Sequence, residues 1–215
     1  QGRSNQQAVF MTNAGRTYSL EAHTLPSARG QGEPLTGKLS FTAGEQARYV
    51  LLGNEDETYL ICSDAGYGFL CEYNDLVSKN KNGKALLTLP EGAQVLQPQL
   101  ATQQDDALCL VISNEGRMLL FPLNTLPKLG KGKGNKLIGI PADKVASREE
   151  FVTHVAVVHA TQAVTLYAGK RKLTLKPTDM VLYHGERGRR GAKLPRGLQR
   201  VDRIELEPLA TNSDV

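Results

Sequence analysis

The chain has 215 residues, of which 40% are hydrophobic and 22% are charged, proportions that are ordinary for a globular protein. No apolar run approaches the roughly 18 to 20 residues that a membrane helix needs, so we expect neither a membrane span nor a secretory signal. Cys62, Cys71 and Cys109 form no CxxC pair and lie in apolar runs. We therefore expect reduced core thiols in a cytosolic protein.

The net charge of +4 is unevenly distributed along the chain. Residues 1–127 hold 9 Lys/Arg against 13 Asp/Glu, whereas residues 128–203 hold 17 against 6. A charge asymmetry of this size predicts a polyanionic partner for the basic part.

Four similar segments follow one another along the chain. They are VFMTNAGRTYSL (9–20), YLICSDAGYGFL (59–70), CLVISNEGRMLL (109–120) and VTLYAGKRKLTL (164–175). Each joins two apolar-rich runs through a short turn that contains glycine, a pattern that predicts a β-hairpin. The turn glycines are Gly15, Gly66, Gly116 and Gly169, so successive hairpins are 51, 50 and 53 residues apart.

The residues after each hairpin repeat as well. A loop rich in glycine and basic residues comes next: SARGQGEPL (27–35), SKNKNGKAL (78–86), LGKGKGNKL (129–137) and GERGRRGAKL (185–194). We call these the basic loops of the first to fourth repeats. A third strand is expected at KLSF, ALLTL, KLIGI and LQRVDRIEL, and a fourth at RYVLL, QVLQPQL and HVAVV. PADKVASREEF (141–151) predicts one short helix.

Four strands in a period near 50 residues predict an all-β, propeller-like fold with one blade per repeat. The blades are expected near residues 9–53, 59–100, 109–158 and 164–207, within a domain of residues 1–207, and residues 208–215 are expected to form a flexible tail. A β-sandwich built from similar hairpins is the alternative.

If the repeats superpose, the basic loops form a band around the outside of the disc. Such a band suits the phosphates of a bent duplex, because binding comes from charge and counterion release. The glycines would let the backbone approach and offer N–H groups to phosphate oxygens. The alternative for each loop is a solvated turn. The candidate DNA-binding residues are Arg29, Lys79, Lys81, Lys84, Lys128, Lys131, Lys133, Lys136, Lys170, Arg171, Lys172, Arg187, Arg189, Arg190, Lys193, Arg196 and Arg200.

The sequence carries no motif for chemistry. It has neither an HExxH zinc motif, nor a Walker A loop, nor a GxSxG elbow. We therefore predict no catalytic residue, no metal and no cofactor. Aromatic residues make up 6% and tryptophan is absent, which disfavours stacking on single-stranded bases.

Longer stretches resemble one family. NAGRTYSLEAHTLPSARGQGEPLTGKL, SDAGYGFLCEYNDLV, GRMLLFP with GKGKGNK, and GKRKLTL followed by GERGRRG and RGLQRVDRIE are similar to the C-terminal domain of the A subunit of bacterial topoisomerase IV. That domain is related to the C-terminal domain of DNA gyrase A. The resemblance spans nearly the whole chain, and the run around SARGQGEPLTGKL is its most specific part.

The resemblance implies a β-pinwheel, a propeller-like disc whose blades exchange strands and whose basic rim bends duplex DNA without sequence specificity. It implies a non-catalytic part of an ATP-dependent type IIA topoisomerase that presents the transported segment, sets supercoil preference and supports chromosome decatenation. The implied partners are the N-terminal catalytic part of the same polypeptide and the separate ATPase subunit of the heterotetramer, with the isolated domain monomeric. The implied location is cytoplasmic and nucleoid-associated, with the inner face of the cell membrane as a further option.

Two departures from the family pattern matter. Gyrase A domains carry a box similar to QRRGGKG, and its nearest counterpart here is GERGRRG in the last repeat. That difference favours DNA bending over wrapping of a chiral turn. The resemblance also implies one more blade, N-terminal to the four repeats.

Two other functions remain open. The basic loops of a propeller also suit an acidic protein partner, whereas an RNA-binding barrel would need aromatic faces that are not evident. If the partner is DNA, we expect the loop at 185–197 to make the strongest contact, beside Lys170, Arg171 and Lys172. Replacing Arg187, Arg189 and Arg190 by alanine is then expected to weaken binding at little cost in stability.

Overall fold

The structure is a computed structural model that describes residues 6–22, 39–101 and 105–209. Within those ranges the chain forms three four-stranded sheets and one three-stranded sheet, and neighbouring strands in each sheet are antiparallel. The expected all-β propeller-like fold is confirmed.

The first sheet has the strand order β3-β1-β2-β6. Its strands are β1 (Gln7–Thr12), β2 (Arg16–Glu21), β3 (Ala47–Leu52) and β6 (Lys84–Ala85). The first three come from the first repeat. Strand β6 comes from the basic loop of the second repeat, where Lys84 lies opposite Thr17.

The second sheet repeats this arrangement in the order β10-β5-β4-β7. It contains β4 (Thr58–Ser63), β5 (Tyr67–Glu72), β7 (Gln99–Ala101) and β10 (Asn135–Lys136). Strand β10 is supplied by the basic loop of the third repeat and pairs with β5.

The third sheet has the order β11-β8-β9-β14. Its strands are β8 (Ala107–Ser113), β9 (Arg117–Pro122), β11 (Val152–His159) and β14 (Ala192–Lys193). Strand β14 belongs to the basic loop of the fourth repeat. The exchange of strands between blades, which the resemblance implied, therefore occurs in the first three sheets.

The fourth sheet consists of β13 (Arg171–Leu175), β12 (Val164–Ala168) and β15 (Arg203–Leu206), in the order β13-β12-β15. Among the described residues no fourth strand pairs with β13. The run LQRVDRIEL was expected to supply the third strand of this repeat. Its β15 pairs instead with β12 and is the counterpart of β3, β7 and β11, so that expectation was wrong. LQRVDRIEL mixes apolar and basic residues, as the expected third strands KLSF and KLIGI do. Only the strand pairing shows which position in the sheet it occupies.

Short helices connect the hairpins to the basic loops. They are α1 (Tyr73–Leu76), a 3-10 turn at Leu123–Thr125, and α3 (Pro177–Met180) followed by a 3-10 turn at Val181–Tyr183. The predicted helix in PADKVASREEF is present as α2, Ala142–Ala146.

Hydrophobic clusters join consecutive sheets. Successive residues of β4 alternate between two of them, because side chains along a strand point to opposite faces. Ile61 packs in the cluster between the first and second sheets, and Leu60 and Cys62 pack in the cluster between the second and third. A further cluster joins the third and fourth sheets. The inner strands are buried on both faces, so the sequence shows near-continuous apolar runs there.

The three cysteines are free and buried, as expected. Burial raises the pKa of the Cys71 thiol to about 12, with the nearby Asp75 carboxylate adding to the effect. A thiol held in its protonated form behaves as a small hydrophobic core residue.

Candidate nucleic-acid interface

The basic loops of the second, third and fourth repeats are each anchored to the hairpin of the preceding repeat. The carbonyl of Gly66, in the second hairpin, accepts a hydrogen bond from the N–H of Leu137 at 2.6 Å. The carbonyl of Gly116 accepts one from Leu194 at 2.8 Å, and that of Gly15 accepts one from Leu87 at 2.8 Å. The hairpin glycines thus occupy equivalent positions in the first three sheets.

Backbone hydrogen bonds also join the basic loops of the second, third and fourth repeats to one another. The N–H of Gly132 donates to the carbonyl of Leu86 at 2.9 Å, and the N–H of Gly188 donates to that of Leu137 at 2.8 Å. The residues that follow two of these loops add further bonds, from the N–H of Thr88 to the carbonyl of Gly132 at 3.0 Å and from the N–H of Gly139 to that of Arg189 at 2.9 Å. The loops of the second, third and fourth repeats therefore follow one another along a single edge of the molecule, which we call the basic edge.

The loop glycines serve this anchoring. At Gly134, φ is +84° and a Cβ atom would lie 2.2 Å from the carbonyl oxygen of Gly68. Only glycine permits both the left-handed backbone and the close approach of β10 to β5. At this position the glycine allows the close approach of the preceding blade.

The second repeat presents exposed lysines on the basic edge. Lys79 and Lys81 are exposed, and among the described residues neither makes an ion pair. Lys84 is half-buried in β6 and its Nζ donates to the carbonyl of Asp75 at 2.5 Å. Two of the three predicted lysines here are free to meet an anion.

The four lysines of the third repeat are all exposed, and one of them makes an ion pair. Nζ of Lys128 lies 3.3 Å from a carboxylate oxygen of Glu72. Lys131 and Lys136 are exposed, and Nζ of Lys133 lies 4.3 Å from the centre of the Tyr67 ring. Because Lys133 is exposed, its cation–π attraction to the half-buried Tyr67 is weak and its charge stays available.

The basic residues of the fourth loop differ in their contacts, since some bind the third repeat and others are exposed. Arg187 is half-buried, and its Nη1 donates to the carbonyl of Lys136 at 2.9 Å. Arg189 is exposed and pairs with the exposed Glu186 at 3.2 Å. Lys193 donates to the carbonyl of Glu115 at 2.9 Å. Arg187 and Lys193 thus also hold the loop to the third repeat.

Arg190 is a structural residue. Its guanidinium donates to the carbonyl of Gly139 at 2.5 Å and lies 2.8 Å from the carboxylate of Glu150, whose side chain is only 1% exposed. We expected Arg187, Arg189 and Arg190 to be exposed and their replacement to cost little stability. Arg187 and Arg190 are instead half-buried, and removal of Arg190 would leave a buried carboxylate without its cation. The spacing of charges in the loop contained no sign of a partner 40 residues away.

The remaining candidates lie around the fourth sheet. Lys170, Arg171 and Lys172 are exposed at the start of β13, and the guanidinium of Arg171 packs against Gly197. Arg196 and Arg200 are exposed as well. The loop at 185–191 makes its hydrogen bonds with the third repeat, so Arg171 neighbours only the far end of this basic segment. Arg29 lies outside the described residues.

Two arginines that the sequence reasoning did not select reinforce the basic edge. Arg16 donates to the carbonyl of Asn82 at 2.6 Å, and Arg117 donates to that of Gly191 at 3.2 Å. Both directly follow a hairpin glycine, in NAGR and NEGR. This shared position was the available signal, and it marks arginines that clamp the basic loop of the next repeat.

Among residues 6–22, 39–101 and 105–209, none of the helices has the length and hydropathy of a membrane-spanning segment. The same residues contain no group of three or more His, Cys, Asp or Glu side chains that could hold a metal ion.

Comparisons with known proteins agree with this architecture. The chain matches the model of the DNA gyrase C-terminal domain, beta-propeller, over residues 6–45, 57–100 and 108–159. It is 55% identical over 206 residues to the A subunit of DNA topoisomerase 4 from Pseudomonas aeruginosa, in an alignment that covers 96% of this chain and 27% of that protein. The chain thus spans about a quarter of the length of the curated relatives that it matches.

Solved structures give the same result. The C-terminal domain of E. coli ParC superposes with a TM-score of 0.90 at 48% identity, over 96% of this chain and 83% of that one. A DNA gyrase A C-terminal domain superposes with a TM-score of 0.68 at 13% identity, over 96% of this chain and 67% of that one, and shares the fold. The resemblance seen in the sequence is confirmed, and the chain belongs to the family of DNA gyrase C-terminal domain β-propellers.

Proposed function

We propose that this chain binds duplex DNA along the basic edge, without sequence specificity, as a module of a type IIA topoisomerase. The observation that carries the proposal is the series of backbone hydrogen bonds that joins the basic loops of successive repeats. It brings exposed lysines that are some fifty residues apart in the sequence onto one edge, among them Lys81 and Lys131. The relatives, which are A subunits of DNA topoisomerase 4, support the same function.

The shape of the interface favours contact with phosphates. Lysine is a flexible point charge. The exposed lysines lie on loops whose glycines and backbone groups make contacts and hydrogen bonds with the neighbouring blades. Phosphate contacts position DNA without reading its sequence. An edge that turns from one blade to the next bends the duplex, and the cost of bending is offset by the additional contacts that it permits.

The wider role rests on the relatives. We propose that the chain itself is non-catalytic and needs no cofactor, and that it acts with the catalytic part of its own polypeptide and with a separate ATPase subunit. It would present the transported DNA segment, influence which supercoils are preferred and support decatenation on chromosomal DNA. Such a role implies a cytoplasmic protein that is associated with the nucleoid.

A salt titration of the 215-residue chain with fluorescent duplexes tests the proposal. Log affinity is expected to fall linearly with log salt, with a slope of about −5 to −7 if about six to eight phosphates are neutralised, alike for unrelated sequences. An acidic polypeptide such as polyglutamate, at equal charge concentration, serves as the competitor. Competition as strong as that by unlabelled duplex would favour an acidic protein partner. Binding to a duplex of one particular sequence only, or no binding to any duplex, would contradict the proposal.

A further inference from the structure

The segment Arg148–Glu149–Glu150 links three consecutive blades through two ion pairs, one to the preceding blade and one to the following blade. It lies in the third repeat, between α2 and β11. Arg148 pairs with Asp64 of the second repeat, and Glu150 pairs with Arg190 of the fourth. The Arg148–Asp64 pair lies outside the basic loops, whereas the Glu150–Arg190 pair ends in the basic loop of the fourth repeat.

The first pair is held by a residue in an unfavourable backbone conformation. Arg148 has φ of +63° and is the only residue other than glycine with positive φ in the part of the chain that the structure describes. Helices often end in this conformation, and glycine is the residue that usually adopts it. An arginine there indicates that the side chain is used.

The Arg148 side chain makes three contacts. Nη2 lies 2.9 Å from Oδ2 of Asp64, Nη1 donates to the carbonyl of Gly92 at 3.0 Å, and the guanidinium lies 4.1 Å from the centre of the Phe151 ring. The Asp64 side chain is 4% exposed, and its Oδ1 accepts from the N–H of Gln94 at 2.8 Å. Arg148 therefore fastens the third repeat to the hairpin turn of the second.

The second ion pair connects the third repeat to the fourth. The Glu150 side chain is 1% exposed, and Nη2 of Arg190 lies 2.8 and 3.1 Å from its two oxygens. Arg190 stands in the basic loop of the fourth repeat, between the exposed Arg189 and Gly191. The position of that loop is thus tied to the third blade by a directional, charge-assisted contact.

The first repeat satisfies its buried carboxylate differently. Glu45 accepts hydrogen bonds from the hydroxyls of Thr12, Tyr18 and Thr42, all within its own repeat. Burial tends to raise the pKa of Glu45, but hydrogen bonds from Thr42 and Thr12 outweigh it and the pKa is lowered. Its charge is stabilised inside one blade, whereas the charges of Asp64 and Glu150 are stabilised between blades.

We propose that Arg148 and Glu150 are positioning residues that fix the angles between the second, third and fourth blades, and thereby the curvature that the basic edge imposes on DNA. Apolar contacts between blades are non-directional, whereas a buried ion pair has one favourable geometry, and its removal costs specificity of arrangement. The proposal deepens the proposed function and rests on it for the effect on DNA.

The test uses two isosteric variants that keep every basic residue, Asp64→Asn and Glu150→Gln. Glu149→Gln is the matched control, since it makes the same charge change at an exposed neighbour. Spin labels at Thr88→Cys and Thr178→Cys, both exposed, report the distance between the second and fourth repeats, and the three native cysteines are buried. Affinities for a short linear duplex and for a bent minicircle are measured in parallel.

Both variants are expected to broaden or shift the label-to-label distance and to lower the preference for the minicircle about three- to tenfold. Their affinity for the short linear duplex and the salt slope should match those of the Glu149→Gln control. Unchanged distances and an unchanged preference would overturn the proposal. So would loss of the folded state in both variants, since the pairs would then serve stability and not geometry.

The two proposals fail separately. A wild-type chain that binds neither DNA contradicts the proposed function, and one that binds both equally contradicts the bending that we propose with it. The label distances would still show whether the two pairs set the blade angles.

Discussion

The basic loops of the second and fourth repeats have similar compositions but use their cations differently. In the second repeat, Lys79 and Lys81 are exposed and make no ion pair among the described residues. In the fourth, Arg187 and Arg190 reach back to backbone carbonyls of the third repeat, and Arg190 also neutralises the buried Glu150. A dense run of positive charge in sequence is therefore a poor measure of the charge available to a ligand.

The largest expected effect is on stability, at Arg190. Arg190→Ala should lower the free energy of unfolding by about 2–4 kcal/mol, because Glu150 would remain buried without its cation. The estimate lies at the lower end for buried pairs because the arginine side chain is 41% exposed. Urea unfolding followed by circular dichroism measures the difference.

Arg189→Ala is the control for that measurement. It removes the same charge from the same loop, but both Arg189 and its partner Glu186 are largely exposed, so the cost should be below about 1 kcal/mol. Equal stabilities of the two variants would show that the Arg190 pair contributes nothing special.

The second effect is on DNA binding, at the free lysines. Lys79→Gln with Lys81→Gln should weaken binding to all duplexes and reduce the salt slope by about 1.5–2, since each contact contributes about 0.9. Lys144→Gln with Lys176→Gln removes two exposed lysines outside the basic loops and should leave the slope unchanged. Equal slopes for the two double variants would place DNA elsewhere on the molecule.

A third comparison uses two equivalent hairpin glycines. Gly66 has φ of +86°, and a Cβ would lie 2.7 Å from the carbonyl oxygen of Ile138 in the next repeat, whereas Gly169 has φ of +60° and nothing within 4 Å. Gly169→Ala should cost only the left-handed backbone, about 1–2 kcal/mol. Gly66→Ala should cost about 1–2 kcal/mol more, because the neighbouring repeat must also move.

Thermal unfolding of the two glycine variants provides this measurement. Equal costs would mean that the contact between blades at Gly66 yields easily, and that the hairpins tolerate a side chain alike.

The smallest expected effect is a pH dependence at the junction of the third and fourth repeats. Burial lowers the pKa of His154, although its ring nitrogen lies 3.2 Å from the carbonyl of Asp202. The unfolded chain therefore binds the proton on His154 more readily than the folded chain does. The unfolding free energy is unaffected by this group above the ordinary histidine pKa of about 6.5, and it declines as the pH falls below that value. His154→Gln should flatten the change in unfolding free energy between about pH 7.5 and 5.5. Parallel profiles for the two proteins would contradict this assignment.

The hairpins and their period were predictable because their signals are local. Asn13, Asp64 and Asn114 stand before the turn glycine by two residues, and each side chain accepts an N–H from the segment that leads into the fourth run of its own repeat. The same short motif thus encodes the turn and the sheet, and it recurs in the sequence.

The exchange of strands and the engagement of the arginines were not encoded locally. The two residues of β14 pair with β9, more than seventy positions earlier, and Arg190 pairs with Glu150, whose neighbours in sequence give no sign of it. Exposure depends on which distant element covers a residue, so the composition of the loop could not separate Arg189 from Arg190.

Protection of lysines from acylation by bound DNA tests the central claim most directly. Reactivity is measured by mass spectrometry on the 215-residue chain, with and without a saturating duplex. The account predicts protection of Lys79, Lys81, Lys131 and Lys136 together, across two repeats of the basic edge, while Lys144 remains reactive. Protection confined to the fourth repeat, or absent from all of these lysines, would contradict a continuous DNA-binding edge.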